Sequence, residues 1–179
     1  MTDEQLIRLA EEMGFAAAAV VDTADIPFDG SFRAYCAENL CGKYGVNYSC
    51  PPDCGTVEQM RQRILDRRRA LVLQTIWQIE DLTDQRAIKE AKKTHNAMSL
   101  RLMKQLREEG CDGFMVGASG CALCERCAIV DGEPCRFPDR QYSCMSAYCV
   151  FVKKLTDLCG IEYDCGPGLL AFFGMYVCD

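Results

Sequence analysis

The residues with the clearest chemistry lie between Gly120 and Pro138, GCALCERCAIVDGEPCRFP. Cys121, Cys124, Cys127 and Cys135 form a C-x2-C-x2-C-x7-C array. Three equally spaced thiols on one tight loop, with a fourth returned by Gly132, Glu133 and Pro134, suit a single metal centre. Bacterial ferredoxins hold [4Fe–4S] clusters on C-x2-C-x2-C followed by a distant cysteine. Zinc sites are built from two ligand pairs and need no middle cysteine. The spacing therefore favours a cluster, with zinc as the alternative. Glu125 and Arg126 inside the run argue against a strand of small buried cysteines.

A second box precedes it. Tyr35 to Gly55 reads YCAENLCGKYGVNYSCPPDCG and places Cys36, Cys41, Cys50 and Cys54 in a C-x4-C-x8-C-x3-C pattern. Gly42, Gly45, Pro51, Pro52 and Gly55 argue against regular structure here. A long irregular loop in a compact domain calls for a clamp, and four thiolates on one centre would be one. Pro51 directly after Cys50 matches the Cys-Pro that closes a ferredoxin run. The two boxes supply eight thiolates, enough for two [4Fe–4S] clusters or two zinc ions. The backbone N–H groups of Gly42, Gly55, Gly117 and Gly120 are candidates for hydrogen bonds to sulfur.

Four motifs carry a resemblance: the Cys36-x4-Cys41 pair, SCPP at Ser49 to Pro52, CALCERCA at Cys121 to Ala128, and CRFPD at Cys135 to Asp139. From about Phe15 to the C-terminus the chain resembles a prokaryotic family of predicted metal-binding proteins, a domain of unknown function. The resemblance implies metal binding and, through it, iron–sulfur clusters; it supplies no substrate. Family members continue with a serine-methionine-glutamate-alanine run and a glycine. Here the run is Cys144, Met145, Ser146, Ala147, and Cys149 takes the glycine position, so no working carboxylate is inferred there.

Six cysteines remain: Cys111, Cys144, Cys149, Cys159, Cys165 and Cys178. Most read as small core residues. Cys144 and Cys149 follow the late box closely enough to exchange for a ligand or form a redox pair. His95, the only histidine, falls in an apolar helical seam and reads as a packing residue before it reads as a ligand or proton donor.

The elements that must position these boxes follow from periodicity. A helix is expected from Asp3 to Met13, with Gly14 stopping it, and a strand over Phe15 to Val21. A capping box at Thr56 and Gln59 opens a helix that buries Val57, Met60 and Ile64. A central strand is expected over Ala70 to Ile79, and a long helix from about Thr83 to Glu109 with a seam of Ile88, Ala91, His95, Met98, Leu102 and Leu106. A short strand, Phe114 to Ala118, delivers the chain into the late box. A helix over Met145 to Leu158 and strands over Ile161 to Asp164 and Leu169 to Val177 complete the pattern. The expected fold is one α/β domain spanning residues 1–179, with a mixed sheet of about five strands, flanking helices and two cysteine-rich metal-binding loops.

Composition narrows the function. The net charge of -6 and pI near 4.9 disfavour a nucleic-acid partner. Arginines cluster once, at Arg61, Arg63, Arg67, Arg68 and Arg69, as a solvated helix face or a docking patch for an acidic redox partner. MTDEQLIRLAEEMG reads as an amphipathic helix and not a signal peptide, and no segment has the apolar length of a membrane span. The expectation is a cytoplasmic protein with reduced thiols. Two clusters in one small chain suggest an electron relay to a redox partner protein, or a role in that partner's maturation. The alternatives are a zinc-stapled scaffold and a small-molecule reductase using one cluster.

Overall fold

The computed structural model describes residues 1–179. In chain order the elements are α1 (Asp3–Glu12), β1 (Ala17–Asp22), α2 (Arg33–Ala37), α3 (Val57–Leu65), β2 (Arg69–Gln78), α4 (Gln85–Glu108), β3 (Gly113–Gly117), β4 (Ser143–Cys144), α5 (Val152–Cys159) and β5 (Leu169–Cys178). The five strands form one mixed sheet in the order β1-β2-β5-β3-β4. All neighbours are antiparallel except β3 and β4, which run parallel with Gly117 opposite Cys144.

The sheet separates two cores because successive strand residues face opposite sides. On one face Ala70, Val72, Val116, Phe173, Met175 and Val177 pack with Met60 and Ile64 of α3 and Leu155 of α5. On the other, Leu71, Leu73, Met115 and Tyr176 pack with Leu6 and Ala10 of α1 and Leu102, Met103 and Leu106 of α4. Leu6, Met60, Ile64, Leu71, Leu102, Leu106 and Leu155 are fully buried, and each such side chain contributes about 1.5–3 kcal/mol through lost apolar contact with water. The helix starts follow from their caps: Thr2 with Gln5 and Thr56 with Gln59 both form reciprocal capping boxes. In α3, Met60 and Ile64 are fully buried while Val57 is only half-buried.

Three local expectations are corrected. The helix expected over Met145 to Leu158 begins only at Val152. Cys149 takes a left-handed φ of 56°, and Val150 N–H bonds back to Met145 O at 3.1 Å, so the chain turns there instead of continuing helically. The strand expected over Ile161 to Asp164 is absent. Gly160 closes α5 with a φ of 65°, Ile161 N–H donates to Thr156 O, and Tyr163 stacks on Phe173 with centroids 5.6 Å apart. The fifth strand is instead the two-residue β4, too short to show a period. The early box is also not wholly irregular, since α2 carries Cys36.

Candidate metal centre

All fourteen cysteines are free, and none is joined in a disulfide. The late box is built on the end of β3. Asn96, buried on α4, pins the exit: its Oδ1 accepts from Ala118 N–H at 2.9 Å and its Nδ2 donates to Ser119 Oγ at 2.8 Å. Tyr142 Oη accepts from Ala122 N–H at 3.2 Å. The loop then closes on itself through a one-turn 3-10 helix over Ala128–Asp131, a left-handed Gly132, and a Glu133 N–H bond to Ala128 O. Arg126 pairs with Asp131 at 3.0 Å, and Arg136 donates to Arg126 O at 3.0 Å. Cys121, Cys124, Cys127 and Cys135 are all half-buried and line one pocket with Leu123 and Phe137. The cavity between them is small, about 20 Å³.

The early box packs directly against this loop. Ser49 hydroxyl donates to Asn47 Oδ1 at 2.9 Å, leaving its oxygen to accept Cys121 N–H at 2.9 Å. Asn47 Nδ2 donates to Cys121 O at 2.9 Å, so the two side chains bracket the backbone of one residue of the late loop. Both are buried, and their polar groups are fully spoken for. Tyr48 hydroxyl reaches Glu133 O at 2.9 Å. Gly120 completes the junction: a β-carbon there would stand 2.9 Å from Cys50 Sγ and 3.3 Å from Ser49 Oγ. Of the four glycines expected near sulfur, Gly120 abuts Cys50 Sγ and Gly55 O lies 3.9 Å from Cys54 Sγ; Gly117 faces Asn96 and Tyr142, and Gly42 has no close neighbour.

The donors around this junction are soft thiols, the class suited to iron–sulfur clusters and zinc. Burial is the main cause raising Cys36 to about 11, Cys50 to about 12, and Cys121, Cys54 and Cys144 above the ordinary thiol range. Metal-free, these sulfurs are neutral, and loading a cation on them releases protons. No three of the chain's His, Cys, Asp or Glu side chains are gathered closely enough to hold a single ion; the late thiols stand around a pocket.

A family model described as Predicted metal-binding protein (DUF2284) matches residues 19–177. The chain belongs to that family. No curated protein and no solved structure matches it. Within this metal-binding family the segment after the late box is expected to carry a glycine where this chain has Cys149, and the left-handed φ of 56° there explains why glycine suits the position. No helix of the chain is long and apolar enough to cross a membrane.

Cys54 of the early box donates its N–H to Cys50 O at 3.0 Å and is buried with Met60, Ile64 and Tyr148, its sulfur 3.8 Å from Arg33 Nη1. The remaining candidates lie elsewhere. Cys111 and Cys178 are buried where β3 begins and β5 ends, and burial, with Cys111 nearby, raises the Cys178 thiol. Cys159 packs against the α3–α5 core, and Cys165 lies 3.7 Å from Gln74 Nε2. His95 is fully buried; its Nδ1 lies 2.8 Å from Thr75 Oγ1, which also receives Trp77 Nε1–H at 2.8 Å. Its Nε2 has no partner and faces the Gly174 backbone, and burial lowers its pKa to about 4. It is a neutral packing histidine. Of the arginine cluster, Arg61 lies over the Phe28 ring, Arg63 reaches Tyr148 hydroxyl, and Arg67 and Arg69 bind the chain termini through Asp179 and Asp3. Four of its five members are thus engaged within the chain.

The bracket of Asn47 and Ser49 is the part of the site that spacing did not reveal. Only the position of Ser49 beside Cys50 hinted at it.

Proposed function

We propose that the chain is an iron–sulfur protein carrying two adjacent [4Fe–4S] clusters and passing electrons to or from a partner redox protein. Such clusters supply one-electron transfer, with a potential set by burial and hydrogen bonding at sulfur. The observation that carries the reading is the junction at Gly120: Cys50 of one thiol group lies against the backbone next to Cys121 of the other. Two redox groups held this close suit a relay, whereas two structural zinc staples gain nothing from adjacency.

Cys121, Cys124, Cys127 and Cys135 would hold the late cluster. Cys36, Cys41, Cys50 and Cys54 would hold the early one. The four late thiols line one pocket, as ligands of one shared centre must. Around the early box Tyr35, Leu40, Tyr44 and Val46 are exposed, and this apolar rim beside Cys41 is where a redox partner would dock. Free thiols and acid-labile clusters fit a reducing, cytoplasmic setting.

Anaerobic purification with iron, sulfide and zinc analysis tests this. The expected product is brown, holds about eight iron and eight sulfide per chain, and gives two interacting paramagnetic signals on reduction. A colourless chain holding zinc and no sulfide overturns it.

A further inference from the structure

The chain is acidic as a whole, with a formal net charge of -6, yet its longest helix is basic. α4 carries seven lysines and arginines against two glutamates, Glu90 and Glu108. Its inner side is buried through Ala91, His95, Leu102 and Leu106, so the charge lies outside. Arg86, Lys89, Lys93, Arg101 and Lys104 are exposed along its 24 residues, a length of about 36 Å. Two ion pairs form in this row, Lys93 with Glu90 at 4.0 Å and Lys104 with Glu108 at 3.7 Å, and pairs this exposed hold little energy. Arg86, Lys89 and Arg101 pair with no carboxylate.

The C-terminal half of this face runs into the late loop. Arg101, Lys104 and Arg107 line an open groove of about 460 Å³ with Leu100 and with Arg140, which follows the late box; Glu108 is the one carboxylate in it. Arg140 lies over the Phe137 ring, 4.6 Å from its centroid, and Phe137 lines the pocket of the late thiols. Arg107 Nη1 donates to Asp139 O at 2.8 Å, which fixes this segment against the helix. One cationic surface therefore leads along α4 to the edge of the late thiol pocket.

A cationic face on an anionic chain selects its occupant by charge, because opposite potentials steer encounter and set register. An extended polyanion such as a nucleic acid would run past the helix onto the acidic remainder of the chain. A compact protein with one acidic face meets the helix alone. We propose that the outer face of α4, with Arg140, docks a small acidic electron-carrier protein beside the late centre. This rests on the two-cluster reading above. A relay needs a contact at each end: the apolar rim beside Cys41 serves the early centre, and this basic face serves the late one. One electron crosses at the contact, so one protein is oxidised as the other is reduced, and no bond is made or broken.

The test titrates the anaerobically purified full chain with an acidic plant-type ferredoxin as the probe and reads binding by calorimetry. Arg101→Glu/Arg140→Glu is expected to weaken binding at least about tenfold, since each change turns attraction into like-charge repulsion. Raising salt from about 50 mM to about 500 mM should weaken binding of the unmodified chain by a similar factor. Arg61→Glu/Arg68→Glu, on the α3 side of the sheet, makes the same change in net charge and should leave binding within about twofold of wild type. Iron and sulfide contents equal to wild type report that each variant is folded and loaded. No binding, binding indifferent to salt and to the α4 reversal, or weakening by the Arg61 and Arg68 changes instead, overturns the docking assignment and leaves the two-cluster reading standing. A single-stranded oligonucleotide that binds as tightly as the ferredoxin and is weakened by the same α4 reversal also overturns it. Absence of iron and sulfide from the unmodified chain overturns both.

Discussion

The late loop takes its thiols from one continuous run, Cys121 to Cys135, and stabilises that run with its own turn bonds and the Arg126–Asp131 pair. The early loop is spread over Cys36, Cys41 and Cys50, begins on a short helix, and leans on residues far away in sequence: Arg33 on Ala147, Asn47 and Ser49 on Cys121. One site is locally assembled and the other is assembled by the tertiary fold. The late centre should therefore tolerate damage to the early one, while the early centre depends on the backbone that carries the late one.

Cys124→Ala gives the largest effect. It removes the middle thiol of the late loop, and about half of the bound iron should be lost with the early signal still present. If all metal stays bound, Cys124 is not a ligand and the division into two centres is wrong. Gly120→Val breaks the comparison from the other side. Its β-carbon would fall 2.9 Å from Cys50 Sγ and 3.3 Å from Ser49 Oγ, both on buried side chains. Overpacking of this kind costs about 1–3 kcal/mol. Iron should be lost from the early centre first, because Cys50 is the group displaced; an early signal unchanged from wild type would show that the two loops are not in register at this point.

Acid tests whether stability resides in the loops or the sheet. His95 is neutral in the fold, with its pKa lowered to about 4, whereas unfolded histidine protonates near 6.5. The unfolded chain therefore binds the extra proton, and stability present above pH 6.5 falls as pH drops toward about 4. The loss approaches roughly 3 kcal/mol. About 2 kcal/mol of it falls between pH 7 and pH 5, where denaturant titrations of the metal-free chain should show it, and His95→Gln should flatten the dependence. An unchanged slope in that variant would move the acid sensitivity to the thiol loops.

Ser49→Ala is smaller. It leaves Cys121 N–H without its acceptor in a buried place, at a cost of roughly 1–3 kcal/mol. Metal content should hold while the melting temperature falls. A loss of late-centre iron would mean that the late loop is less self-sufficient than its turn bonds suggest.

The late quartet was legible because its geometry is local: three thiols at equal spacing need nothing from the rest of the chain. The long helix α4, the strands β1, β2 and β5 and the Thr56–Gln59 capping box were legible for the same reason, since period and caps are properties of consecutive residues. What escaped was set by contacts across the fold. β4 has only Ser143 and Cys144, and exists because the end of β3 offers it a partner. The helix read into Met145 to Leu158 has the right apolar spacing, yet Cys149 turns left-handed so that its carbonyl can accept Asp29 N–H at 2.8 Å. Asn47 and Ser49 looked like ordinary loop polar residues, and only the position of Cys121 gives them a task.

Cys159→Ala is the weakest perturbation, and the comparison depends on its silence. The thiol is half-buried at the C-terminal end of α5, packed on the α3–α5 core, and burial alone lifts it to about 11. No other thiol acts on it, in contrast to Cys36 and Cys50, each of which feels several. Removing its sulfur should cost no more than about 1 kcal/mol through lost packing, with iron and sulfide unchanged. Were metal lost in proportion, a thiol with no cysteine neighbour would be acting at a centre, and the division of the cysteines into two quartets of ligands and six others would be wrong.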